Sequence, residues 1–302
     1  MKYYFIINPI SGSSDKTEIL TEEIKEVFLE NKNDEYEIYV TKSKDDGEKY
    51  VKSVSSRITE DTVFLACGGD GTSYEVLNGL AEQPKAILGV VGVGSCNDFL
   101  KCFPKLNFRN IKNIVKGVIK KIDLIKCNDR YCLNEVNIGF DAKVNEDCNH
   151  IKEKTKNVKR AYNKAIIKNI IKKSAPMAKI KVDGEEFYHD KMFLMTCANG
   201  KYYGGGYCAA PKAIVDDGLL ETLVIRNIST LNFVSLVGDY KKGTHLDKPK
   251  FFKFLKYTQS KEVDIEFEED ARVCFDGEII YSKKLKINIE PLKLRFLLPT
   301  GE

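Results

Sequence analysis

Residues 62–75 read TVFLACGGDGTSYE: an unbroken apolar run stops at a glycine turn, and the chain restarts as a helix. The run over 63–67 is short and continuous, the pattern of a strand buried on both faces. Gly68, Gly69 and Gly71 let backbone amides approach an anion closely, because no Cβ stands in the way. Thr72 and Glu75 have the T-x-x-E spacing of a capping box, which predicts a helix through Leu80 with its free amides and positive dipole end aimed at the turn. Such a turn suits phosphate. Asp70 stands among the glycines, and a carboxylate beside phosphates is repulsive unless a cation intervenes. It therefore points to a bound magnesium, or to a base that accepts a hydroxyl proton. A tight turn with a capped helix and a solvated aspartate is the plainer reading. Neither common nucleotide motif accompanies these residues: there is no P-loop, and Gly92 and Gly94 are followed by Asn97 where a dinucleotide fingerprint has its third glycine.

The remaining composition excludes several classes. At 302 residues the chain is long enough for two domains, and 43% hydrophobic with 30% charged residues is ordinary for a globular protein. The first ten residues lack the apolar core and cleavage site of a secretory signal, and no run reaches the length of a spanning helix, so a cytoplasmic protein is expected. Nine cysteines are scattered without C-x-x-C spacing and read as reduced, mostly buried thiols. Three histidines, none at zinc-ligand spacing, give a histidine metal site or a histidine-based triad little to build on. A net charge of +4 does not argue for nucleic acid as a partner.

Over the first 125 or so residues, short apolar runs alternate with helical patterns, the signature of a parallel sheet covered by helices. Five strands are predicted at 3–7, 36–40, 63–67, 86–91 and 122–126, with helices near 17–29, 46–56 and 73–81. From about residue 130 hairpin signals dominate: strands at 179–182, 191–197, 219–226, 262–268, 271–275 and 284–298, with turns at Asp183-Gly184 and Asp276-Gly277. This half reads as an antiparallel β-sandwich, with the boundary expected at 126–130.

Several blocks now stand in a recognisable order: Asn8-Pro9 with Ser11-Gly12; Gly68 to Thr72 leading into Glu75; Gly94 to Phe99; Asn137 to Ala142; Asn199-Gly200 with Tyr203 to Gly206; Asp217-Gly218; and Asp276-Gly277-Glu278. In this the chain resembles the bacterial diacylglycerol and lipid kinase family, which shares its catalytic domain with sphingosine kinases. The resemblance covers nearly the whole chain. It implies an α/β domain of the NAD kinase and phosphofructokinase kind over 1–128 that binds ATP. It also implies a β-sandwich domain over 129–302 that completes the catalytic cleft and lipid site, the C-terminal residues being able to return to the first domain. The block over 94–99 departs slightly from the family pattern, with Ser95 where threonine is usual and Cys96 where a small residue is common.

By the same resemblance, Asn8, Ser11, Gly12, Thr41, Gly68, Gly69, Asp70, Gly71, Thr72, Glu75 and Ser95 would line the ATP site. None is a lysine, so phosphoryl transfer would lean on amides, magnesium and a cation from elsewhere. Glu278 is implied as the base that takes the proton of the lipid hydroxyl, and Asp70 as the residue serving magnesium-ATP. Read from its residues alone, D-G-E is a hairpin charge and Asp70 competes for the role of base. A second, structural magnesium is implied at Asp217, with the main-chain carbonyls of Ile214 and Leu219; an aspartate-rich turn is the plainer reading there.

Over 152–173, Lys156, Arg160, Lys164, Lys168 and Lys172 recur every four residues, opposite Val158, Tyr162, Ala165 and Ile166. This predicts a basic amphipathic helix, either a solvated face or a dock for an anionic membrane surface. The expectation is a cytoplasmic, peripherally membrane-associated kinase using ATP and Mg2+ to phosphorylate a lipid hydroxyl, diacylglycerol being favoured. A homodimer is one assembly left open. The alternatives are an NAD kinase, supported by the Asn134-Glu135 pair, a phosphofructokinase, whose two α/β domains the β half does not match, and a non-catalytic nucleotide or lipid sensor.

Overall fold

The computed structural model describes residues 1–12, 14–31, 33–152, 164–169 and 175–301. They form two compact units, residues 1–122 with 292–302, and residues 123–291.

In the first unit four strands run parallel in the order β2-β1-β3-β4: β1 Lys2–Ile7, β2 Glu35–Val40, β3 Thr62–Gly68 and β4 Ala86–Gly92. Every residue of β3 and β4 is buried, which explains their unbroken apolar sequences. Helices α1 Thr17–Glu30, α2 Asp46–Ser55, α3 Asp70–Leu80 and α4 Ile111–Val115 complete the unit. On one face Tyr3, Phe5 and Ile7 with Val63, Leu65 and Cys67 pack against Leu20, Ile24, Val27 and Phe28 of α1, strand period 2 meeting helix period 3.6.

The fifth strand corrects the sequence reading. Residues 122–126 lie in β5 Val118–Cys127, which beyond Asp123 pairs antiparallel with β6 Arg130–Cys132. The neighbour of β4 is instead the end of β13 Glu278–Leu298, where Phe296 lies parallel beside Leu88. Phe296 is fully buried against Phe99, Phe103 and Phe108. Apolar alternation reports that a strand is buried, not which strand it joins.

The second unit is antiparallel in the order β11-β10-β9-β7-β12. Its strands are β7 Glu135–Gly139, β8 Met177–Val182, β9 Glu185–Ala198, β10 Leu220–Arg226, β11 Leu255–Ser260 and β12 Glu262–Phe275; β8 pairs with both β9 and β12. Both expected hairpin turns are present. Asp183 and Gly184 have φ of 50° and 87°, Asp276 and Gly277 of 47° and 101°, the double positive φ that suits a right-twisted hairpin. Two helices, α5 Phe140–Lys152 and α6 Thr230–Lys242, cover a core of Phe140, Phe193, Ile225, Phe233, Leu236 and Phe251. The pattern reading missed α6, although Ser229 caps its start by accepting the N–H of Asn232 and Gly243 ends it at φ 74°.

Of the basic segment, residues 164–169 are helical, with Ala165 buried and Lys164 and Lys168 exposed; Lys156, Val158, Arg160, Tyr162 and Lys172 lie outside the described residues. Among the described residues no helix is long and apolar enough to cross a membrane.

Candidate active site

In the first unit the expected phosphate residues converge where β1, β3 and β4 end. Asn8 follows β1 and donates from Nδ2 to Thr72 Oγ1 at 3.1 Å, while its Oδ1 accepts the N–H of Ile10. Ser11 donates its N–H to the Asn8 carbonyl, and Gly12 holds φ 88° with its Cα pressed toward the Val93 carbonyl. Gly94 donates to the Gly68 carbonyl at 2.9 Å, and a Cβ on Gly94 would lie 2.3 Å from the Gly69 Cα. The two glycine segments therefore touch backbone to backbone, an approach only glycine permits. Ser95 is exposed on the same loop, and Gly71 lies in the first turn of α3.

The capping box does not form. Helix α3 begins at Asp70, earlier than the spacing predicted, with Gly69 as its N-cap and no side chain capping it. Thr72 Oγ1 is engaged by Asn8, and a Cβ on Gly68 would strike that oxygen at 2.2 Å. The Glu75 carboxylate serves a different helix: it accepts the N–H of Asp45 at 3.0 Å and of Gly47 at 3.1 Å, capping α2. Thr41, buried after β2, stands beside this cap, its Cγ2 near Gly47. Thr41 and Glu75 thus form a group of their own, and the residues around Asp70 form another.

Asp70 accepts the N–H of Asn97 at 3.1 Å on one oxygen and of Asp98 at 3.0 Å on the other. It thereby fixes the 94–98 loop against the glycine turn. Ligand atoms of Asp70, Cys96 and Asp98 lie within 4.8 Å of one another. The two carboxylates are the hard oxygen donors magnesium prefers, so the residues fit the ion the sequence implied. Asp98 is buried and pairs with Lys101, a cation beside this site; both escaped the sequence reading, although Asp98 stood within the block over 94–99.

The second unit holds the other expected carboxylates. Asp276, read from sequence only as a turn residue, turns its carboxylate onto the backbone of 133–135. It accepts the N–H of Leu133 at 2.6 Å, Asn134 at 3.1 Å and Glu135 at 2.8 Å. Burial pushes this carboxyl up to about 6 against the downward pull of the amides. Glu278, two residues on, opens β13 opposite Phe275 and is half-buried. The buried polar chain Glu135–Asn137–Thr196 stiffens the strands beneath this turn: Asn137 donates to Glu135 at 2.5 Å, and Thr196 donates to Asn137 at 2.7 Å. The Asn134-Glu135 pair is therefore occupied within the fold.

At the second expected metal position, Asp217 accepts the N–H of Leu219 at 3.0 Å, and the buried Asp123 accepts the N–H of Gly218 at 2.6 Å. Partial desolvation raises the Asp217 pKa, and the Asp123 charge adds to it. The two carboxylates that accept from this one turn are hard oxygen donors of the kind magnesium prefers. Asp123 was not anticipated, because nothing in its local sequence ties it to a turn 95 residues away.

A small apolar cavity lies among Phe140, Leu194, Ile225, Phe233, Leu236 and Val237, with Asp141 and Tyr203 in its wall. Tyr203 donates to Asp141 and lies 3.3 Å from the Tyr240 hydroxyl. Burial raises the Asp141 carboxyl to about 7, the tyrosine hydrogen bond offsetting part of the rise. In the unfolded chain it titrates near 3.8. As pH rises from about 4 to about 7, the unfolded state therefore releases this proton first, and the folded state loses about 4 kcal/mol. Asp141→Asn, which still accepts from Tyr203, should remove that loss. Urea unfolding of both chains between pH 5 and 8 checks it, parallel pH dependences being the contrary result.

Residues 2–127 match the diacylglycerol kinase catalytic domain, and residues 134–298 match the YegS C-terminal NAD kinase beta sandwich-like domain. The chain belongs to the diacylglycerol kinase and lipid kinase family, whose members are phosphotransferases with an alcohol acceptor. It is 26% identical to a diacylglycerol kinase of Bacillus subtilis, over 90% of this chain and 88% of that one. It is 27% identical to a "Probable lipid kinase YegS-like" of Shewanella frigidimarina, over 77% and 75%. The crystal structure of a diacylglycerol kinase from Bacillus anthracis, 24% identical, shares the fold with a TM-score of 0.72 over 98% of this chain and 96% of that one.

Proposed function

We propose that this chain is a cytoplasmic, peripherally membrane-associated kinase that transfers the γ-phosphate of ATP, with Mg2+, to a lipid hydroxyl, converting diacylglycerol to phosphatidate. The observation that carries the reading is the pair Asp70 and Asp98 held at the touching glycine turns of 68–71 and 92–94. An anion-seating backbone with carboxylates at its rim calls for a metal-bound polyphosphate. Magnesium would neutralise charge on the phosphates, held by Asp70 and Asp98. The α3 N-terminus and the Gly68, Gly69 and Gly94 backbone seat the phosphates. Lys101 places a positive charge beside them. Glu278 accepts the proton of the acceptor hydroxyl as that oxygen bonds to the γ-phosphorus and the bond to the β-phosphate breaks, leaving ADP. Asp217 and Asp123 would hold a second, structural magnesium.

The test is transfer of labelled γ-phosphate with diacylglycerol, ceramide, phosphatidylglycerol and NAD offered in parallel, lipids in mixed micelles. Label in one lipid, reduced about 100-fold by Glu278→Gln, is the expected result. Label only in NADP would move the chain to the NAD kinases. Glu278→Gln as active as wild type would remove the glutamate from the proton transfer.

A further inference from the structure

Over 226–257 the second unit carries seven basic residues against two acidic ones, Asp239 and Asp247, a local charge of +5 in a chain whose total is +4. Within it, residues 248–256 read KPKFFKFLK, lysines interleaved with aromatic and aliphatic residues and no acid. The structure sets this segment beside α6. Lys248 and Lys250 pair with Asp239 near the helix C-terminus, and the Phe254 carbonyl accepts the N–H of Arg226, just ahead of the helix start. Both oxygens of Asp239, the acid inside the helix, are thereby covered by lysine.

What α6 turns outward is apolar and basic. Leu231 is 82% exposed and Val234 59%, one turn apart, and the same side continues through Ser235 and Gly238 to the exposed Lys241 and Lys242. Phe252 is 56% exposed between the exposed Lys250 and Lys253, while its neighbour Phe251 is fully buried in the core. Phe233 and Leu236, on the inner side of α6, wall the apolar cavity. Large apolar side chains that no described residue covers, set among lysines, are costly in water and favourable at the boundary between anionic headgroups and acyl chains.

We infer that the outer face of α6 and the 248–254 turn seat this protein on an anionic lipid bilayer, with Leu231, Val234 and Phe252 inserted below the headgroups and Lys250 and Lys253 among them. The inference rests on the lipid-acceptor reading above, since a bilayer is where such an acceptor resides. It locates docking on residues different from the basic stretch over 152–173.

The chain contains no tryptophan, which permits a direct test. Phe252→Trp gives an emission that reports on that position alone, and Ile19→Trp, on the exposed side of α1, is the control. Each full-length variant is titrated with phosphatidylcholine vesicles with and without phosphatidylglycerol, lacking diacylglycerol and nucleotide. A blue shift at position 252 only, with phosphatidylglycerol present, is expected. Lys250→Glu with Lys253→Glu should weaken co-flotation about tenfold or more, whereas Lys49→Glu with Lys52→Glu on α2 should not. No shift at 252, an equal shift at 19, or unchanged flotation of the Lys250/Lys253 variant would overturn the inference. A shift that grows with protein concentration without vesicles would assign the face to a second copy instead, and would also overturn it. Phosphorylation of a short-chain diacylglycerol in detergent separates the two readings: docking variants that keep this activity lose membrane seating alone, whereas vesicle binding by a chain that transfers no phosphate would sink only the kinase reading.

Discussion

Asp70→Asn is expected to slow phosphate transfer by on the order of a thousandfold while leaving the chain folded. The side chain has two tasks in the structure. Its oxygens accept the N–H groups of Asn97 and Asp98, and it contributes to the donor cluster with Cys96 and Asp98. Asparagine retains one acceptor but presents an NH2 group to the other amide, so the 94–98 loop loosens as the negative charge disappears. Nothing in the packed strands β3 and β4 changes, so the thermal midpoint should stay within a few degrees. Labelled phosphate transfer at saturating ATP and magnesium, with a melting curve on the same sample, measures both. Activity within tenfold of wild type would show that this carboxylate is neither a metal ligand nor a base.

Asp276→Ala should cost about 4 kcal/mol of folding stability, the larger structural effect. Removing the carboxylate strands the amides of Leu133, Asn134 and Glu135, and each buried donor left unpaired costs about 1–3 kcal/mol. Alanine also tolerates the left-handed φ of 47° less well than aspartate does. Asp276→Asn keeps one acceptor and the backbone preference, and should lose about half as much. The loss is a large fraction of a typical domain's stability, so the alanine chain should unfold at markedly lower urea. If both variants unfold with the wild type, the three-amide clasp contributes little.

These expectations show what the sequence could and could not convey. The strands β1, β3 and β4 and both Asp-Gly hairpins were readable because buried runs and turn residues act through immediate neighbours. The order of blocks pointed to the family that the domain matches show. Long-range partners left no local trace. Glu75 has the spacing to cap its own helix, yet it caps α2, thirty residues back, because the turn at Asp45 presents two amides to it. Asp276 looks like an ordinary turn aspartate until the backbone of 133–135 arrives beneath it, and Asp123 looks like a strand residue until it meets Gly218. Phe296 could not be assigned to β4 from a periodicity that fitted a hairpin equally well.

That last pairing has a consequence for how the chain is made. Residues 292–298 fill the place beside β4, yet they leave the ribosome only after the whole second unit. The first unit must wait, incomplete along one sheet edge, while 123–291 emerge and fold. During that interval the exposed edge is a site for mispairing, and a ribosome stalled within the second unit would release a first unit unable to close.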